Sequence, residues 1–312
     1  METAAAKILW ARSVQLHNMQ YICILSDGDN KTLSALNEQR PYGNDVIIDK
    51  VDCINHVHKR LGTGLRNLLK TSPNIKSGRG GLTKAMIEKL TQYYRGAIMS
   101  NVTTSKDPQQ MEIAVTNMQQ QIMASLCHNV YNKNPEEQHK LCPEKWCKFQ
   151  QDKRDGTSTY DHAKQQSKRL PENFLPHIIS LYNRMSDAEL LKRCVPGLTQ
   201  NQNESFNATI WQRCPKEKYF GAKSVNLALA SASMAWNIGQ FSQTKIMNAL
   251  KLSAFPYTTQ NAIRKDKIRI KTFERAAMVK EKLKRKSKKI EQSKKEKRAR
   301  IQQGVDYAPG QA

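Results

Sequence analysis

Between Tyr21 and Lys70 two short apolar, β-rich runs alternate with two helical patterns, and every join is only a few residues long. Strand, helix, strand, helix on short joins is the pattern of a parallel βαβ unit, which is the expectation for this stretch. Tyr21–Leu25 (YICIL) stops at Ser26-Asp27-Gly28-Asp29 and reads as a buried strand ended by a turn. Leu33 to Arg40 reads as a short helix closed by Pro41-Tyr42-Gly43. Val46-Ile47-Ile48 is expected as the second buried strand. From Cys53 to Lys70, His56, Val57, Leu61, Leu65, Leu68 and Leu69 recur at three and four, the spacing of a helix with one apolar face.

The rest of the chain predicts helices. Residues 3–19 carry a weak amphipathic pattern, and residues 72–81 are a Gly- and Ser-rich loop. Helices are expected over 82–99, 109–131, 176–194, 204–211 and 224–240. Residues 132–170 are polar and irregular, with few core candidates. The fold class is therefore α/β but mainly helical. Composition divides it into a βαβα region (1–70), a helical region (71–200), closing helices (201–260) and a basic tail (261–312).

The chain of 312 residues carries a net charge of +24, which favours polyanionic partners. Residues 264–300 hold 18 Lys or Arg against 5 Asp or Glu, so the remainder still carries +11. The tail strings KLKRKSKK and KKEKRAR suit nuclear import and phosphate contact, through Lys284, Arg285, Lys286, Lys288 and Lys289. Lys59, Arg60 and Arg66 offer a second nucleic-acid path on the Cys53–Lys70 helix. No sequence-reading motif accompanies them. No apolar run reaches the 18 residues of a membrane span, so no membrane partner is expected. Seven cysteines at irregular spacing point to a reducing compartment.

Asp27 follows a strand directly, a rigid mount for a carboxylate that binds a hard cation. Asp29 is the alternative at the same turn, and the plain reading of SDGD is a turn stabilised by Asp side chains. Glu204 opens a helix, where capping explains it as well as metal binding does. Glu88, Glu172 and Glu189 compete with it.

Cys53-x-x-His56 at a helix start is either a zinc half-site or a structural pair that orients the helix. A denser cluster follows. His128, His139, Cys142 and Cys147 have the spacing H-x10-H-x2-C-x4-C in a stretch too polar to stabilise itself by burial, a setting for structural Zn²⁺. Cys127 can replace His128, and Trp146 is placed to pack over the knuckle.

The strings YICILSDGDNK, VDCINHVHKRLGTGLRNL, GRGGLTKAMIEKLTQYY, QHKLCPEKWCKFQ and TQNQNESFNATIWQRCPK resemble Mutator-like transposases of the type abundant in arthropod genomes. The resemblance implies an RNase H-like core with an Asp-Asp-Glu triad and a mostly helical insertion. Asp27 then matches the second acid, Glu204 the third, and Cys53 with His56 the C-x-x-H of the core. His139, Cys142 and Cys147 match the zinc-like cluster of the insertion. It implies Mg²⁺ or Mn²⁺ at the acids, strand cleavage and transfer on duplex DNA, and association with itself or with a related full-length transposase. The family's first Asp lies on an upstream strand, whereas residues 1–20 offer Glu2 and no strand. Only a partial RNase H-like core is therefore expected over residues 1–70, and the chain alone is expected not to cut DNA. A non-catalytic nuclear DNA-binding protein derived from a transposase is the alternative.

Overall fold

The computed structural model describes residues 2–27, 30–72, 75, 81–166 and 168–302, which divide into two compact units, Met1–Gln202 and Asn203–Ala312. The first unit begins with α1 (Glu2–Ala11) and α2 (Ser13–His17). The predicted βαβα unit follows: β1 (Cys23–Ser26), α3 (Lys31–Gln39), β2 (Asp49–Asp52) and α4 (Ile54–Thr71). β1 and β2 pair in parallel, with Cys23 opposite Asp49 and Ser26 opposite Asp52. Trp10, Ile24 and Leu33 close a small cluster around Ala6, Leu36 and Ile48, so α1 and α3 cover the sheet. Trp10 Nε1 donates to the Tyr21 carbonyl (2.7 Å), which holds the chain entering β1.

The main core lies among α4, α5 (Lys84–Met99), α6 (Pro108–Asn129) and α10 (Leu175–Met185). Ile54, Val57, Leu61 and Leu65 of α4 meet Leu90, Tyr94 and Ile98 of α5 in this core, with Met118, Ile122, Ile178 and Tyr182. Local chemistry sets the ends. Thr83 accepts the Met86 amide at the start of α5, and Asp107 with Pro108 opens α6. Between α6 and α10 lie α7 (Pro135–His139), α8 (Lys148–Asp155) and α9 (His162–Gln166). α11 (Ala188–Lys192) completes the unit.

The second unit holds most of α12 (Asn201–Trp211), then α13 (Ala222–Ile238), α14 (Phe241–Ala249), α15 (Pro256–Ala277) and α16 (Val279–Gln302). Gly239 ends α13 at φ +84, and Asp266 of α15 accepts the amides of Gln240 (2.8 Å) and Phe241 (3.0 Å) at the start of α14. No described helix is long and apolar enough to cross a membrane.

Several expectations need correction. The second strand lies over Asp49–Asp52, not Val46-Ile47-Ile48: Ile48 turns into the sheet cluster, Ile47 is 72% exposed, and the ladder continues from Asp49. β1 is only half covered rather than buried, and Cys23 is exposed. The helix expected over 176–194 is two helices, because Asp187 leaves the first and caps α11 by accepting the Leu190 amide. The loop expected over 72–81 falls largely outside the described residues, although Ile75 is buried in the main core. α14 was not anticipated in the sequence.

Candidate functional site

Two constellations stand in the first unit. At the end of β1, Asp27 places Oδ2 2.7 Å from His56 Nδ1 and Oδ1 3.5 Å from Arg60 Nη2. The geometry follows from α4. Val57 and Leu61 point into the core, so His56, Lys59, Arg60 and Asn67 fall on the opposite face. With Arg184 of α10 they line an open depression around Asp27. Cys53 faces elsewhere. It is buried at the N-cap of α4, and its Sγ accepts the Gln200 amide at 3.4 Å. The two ends of the C-x-x-H pair thus serve different contacts, Cys53 with the 198–200 segment and His56 with Asp27.

Asp52 sits one step beyond, opposite Ser26 at the end of β2. It is 1% exposed, and its Oδ2 lies 3.0 Å from Arg193 Nε. Its amide also donates to the Arg193 carbonyl (3.1 Å), so the segment after α11 is clamped to the sheet. Sequence reasoning passed over Asp52; the signal available was an acid immediately before a helix cap.

The second constellation brings together His128 at the end of α6, His139 at the end of α7, and Cys142 and Cys147 in the turn before α8. One ligand atom from each lies within 4.8 Å of the others. His128 Nδ1 and His139 Nδ1 are 3.2 Å apart. Cys142 Sγ lies 3.6 Å from His128 Nδ1 and 3.7 Å from His139 Nδ1. Cys147 Sγ lies 4.0 Å and 3.5 Å from the same atoms. Ordinary zinc bond lengths give tetrahedral edges of about 3.3 Å between nitrogens and about 3.5 Å between nitrogen and sulfur. The donor set therefore fits Zn²⁺, which would tie α6, α7 and α8 together.

The surroundings prepare the ligands. His139 Nε2 lies 3.0 Å from Tyr160 Oη, which leaves Nδ1 for the cluster, and Phe149 stacks on the ring at 4.8 Å. Trp146 stands edge-on to His128 at 5.0 Å, as the knuckle reading expected. Burial pushes the His128 pKa down and keeps the imidazole neutral. Cys142 and Cys147 share a hydrogen bond that pulls the Cys147 pKa down and pushes that of Cys142 up. Cys127, the alternative ligand, lies outside the group, half-buried. Among the described residues no other group of three or more His, Cys, Asp or Glu has this closeness.

The positioning residues Asp152 and Tyr160 carried no local signal, because each acts through the loop at 157–160. Asp152 accepts the amides of Thr159 (2.6 Å) and Tyr160 (2.5 Å) and the Thr157 hydroxyl (3.1 Å). That loop delivers Tyr160 to His139.

The remaining predicted residues are spread along the surface. Lys59 and Arg66 are exposed on α4, and Arg66 donates to Thr63 (3.0 Å). Glu204 is exposed in the first turn of α12, within the second unit. Lys284, Arg285 and Lys288 are exposed on α16. Asp29 and the side chains of Lys286 and Lys289 lie outside the described residues.

Residues 1–147 match the family model of Mutator-like transposases. This stretch runs from α1 to Cys147, so it contains β1, β2, α4 and all four cluster residues. No curated protein and no solved structure matches the chain.

Proposed function

We propose that the chain is a zinc-stabilised nuclear DNA-binding protein of Mutator-like transposase descent that does not cleave DNA by itself. The observation that carries this reading is the state of Asp27 within the family-matched stretch. Its carboxylate is engaged by His56 at 2.7 Å and Arg60 at 3.5 Å, with Lys59 and Arg184 lining the same depression. Mg²⁺ takes oxygen ligands, and two-metal strand cleavage needs several carboxylates around one phosphate. Arg60, Lys59 and Arg184 bring positive charge to Asp27 and the described lining brings no second carboxylate, so this donor set does not fit a catalytic metal. The same cations fit a phosphate backbone, which Lys and Arg hold without reading sequence.

An RNase H-like ancestry accords with the parallel β1–α3–β2–α4 unit and with an acid at the strand end. In that ancestry Asp27 and Glu204 descend from metal-binding acids. A copy of the chain or a related transposase is the natural assembly partner.

The test pairs binding with cleavage. The purified chain is expected to bind duplex DNA with strong salt dependence and to leave supercoiled plasmid intact in Mg²⁺ or Mn²⁺. Metal-dependent nicking that disappears in Asp27→Ala would overturn the non-cleaving assignment. Failure to retard duplex DNA even at low salt would overturn the binding assignment.

A further inference from the structure

A cavity of about 430 Å³ lies beside the His/Cys cluster, walled by Lys89 and Tyr93 of α5, Trp146, Lys148, Lys164 and Arg169. Its charge is unbalanced. Asp161 is the one carboxylate in the lining, and its Oδ1 accepts the Lys164 amide at 3.0 Å. Lys148 is matched by Asp152 at 3.0 Å. Among the described residues neither Lys89 nor Arg169 meets a carboxylate. Lys89 Nζ hangs over the Tyr93 ring, 5.9 Å from its centre. Burial first, and then the charges of Arg169 and Lys168, push the Lys89 pKa down. Arg169 donates Nη2 to Tyr160 Oη (2.5 Å), but its buried Nε has no acceptor among the described residues.

A buried N–H without an acceptor and two neighbouring cations without an anion are both unfavourable. One multi-oxygen anion relieves both. The aromatic faces of Tyr93 and Trp146 at the rim add a surface on which a base can stack. We propose that this cavity holds a backbone phosphate of a nucleic-acid strand, with Arg169 and Lys89 on the phosphate oxygens. The choice of nucleic acid rests on the DNA-binding reading above; the anion site rests on the cavity alone. The metal cluster builds the pocket. Cys147 sits between Trp146 and Lys148, and Tyr160 links Arg169 to His139.

The experiment follows the indole N–H signal of Trp146, assigned with Trp146→Phe, by nuclear magnetic resonance in the zinc-loaded full chain. Inorganic phosphate is expected to shift it, and a short single-stranded oligonucleotide to shift it at about tenfold lower concentration through added stacking. Lys89→Gln, which leaves Tyr160 and the cluster in place, is expected to abolish the phosphate response; Arg169→Gln should do the same. Zinc content checks that each variant is intact. No phosphate shift in the parent chain, or an undiminished shift in a zinc-loaded Lys89→Gln variant, overturns the site. A phosphate shift with no response to oligonucleotide overturns the nucleic-acid assignment. A response to oligonucleotide in a chain that fails to retard duplex DNA supports the site and overturns only the duplex reading.

Discussion

At the scale of single residues, Asp27 and Asp52 end neighbouring strands yet do opposite work. Asp27 is half exposed, so its pairing with His56 and Arg60 adds little to stability. Asp52 is buried between Arg193 (3.0 Å) and the more distant Lys50 (3.7 Å), and removing Arg193 takes the closer cation from a carboxylate in the interior. Urea unfolding is expected to show Asp27→Asn within about 1 kcal/mol of the parent, and Arg193→Ala destabilised by about 3 kcal/mol. Equal losses would mean that Asp52 is not the clamp. Asp152 supplies a pH signature. Burial pushes its pKa up, but hydrogen bonds from Thr159, Lys148 and the Tyr160 and Thr159 amides pull it well below the usual carboxylate range. A folded value below the unfolded one stabilises the protein above the unfolded value, about 3.9, and that share is lost as pH falls through the folded value. The melting-temperature gap between parent and Asp152→Asn should therefore be full near pH 6 and narrow below pH 4. A gap that stays constant down to pH 3 would reject the assignment. Asp27 was legible because an acid follows an apolar run, whereas Asp52 and Asp152 act through partners 141 and about seven residues away, which no local pattern displays.

At the scale of elements, the helices were legible where one face carries the packing. The Val57, Leu61 and Leu65 spacing gave α4 its length and its core face. His56 belongs to the same run by spacing but points to Asp27, since the apolar arc excludes it. The second strand slipped by three residues because β-propensity marks where apolar groups cluster, while the ladder is set by pairing with β1. Residues 132–170 looked irregular because α7, α8 and α9 are too short for a period and are organised around ligands rather than an apolar stripe. Cys142 and Cys147, with Trp146 and Phe149, pack there in a small cluster against Ala124 of α6. The proposed zinc would supply the stability that this segment does not draw from an apolar stripe. Metal analysis is expected to find about one zinc per chain, lost in Cys142→Ser and retained in Cys127→Ser. Absence of zinc from protein produced with zinc supplied would reject the centre, and loss in both variants would move Cys127 into the ligand set.

At the scale of the whole molecule, the charge legible in the sequence is not distributed like the family match. The match ends at Cys147, whereas 18 of the basic residues lie in 264–300. On the proposed DNA-binding reading two basic surfaces are available: the α4 face with Lys59, Arg60 and Arg66, and the exposed Lys284, Arg285 and Lys288 of α16. Salt dependence separates them, because each neutralised phosphate adds about 0.9 to the slope of log affinity against log salt. Removing residues 264–300 takes away most of the net charge but none of the first unit. If α16 tracks the backbone through about five phosphates, the truncated chain should lose about 4 to 5 units of slope and 100-fold or more in affinity at moderate salt. It should keep its zinc and its melting transition, since the cluster and the main core lie within Met1–Gln202. Unchanged slope after truncation would instead place DNA on α4. The combined variant Lys59→Gln, Arg60→Gln and Arg66→Gln would then carry the loss, and Asp27 would stand at the edge of the bound backbone.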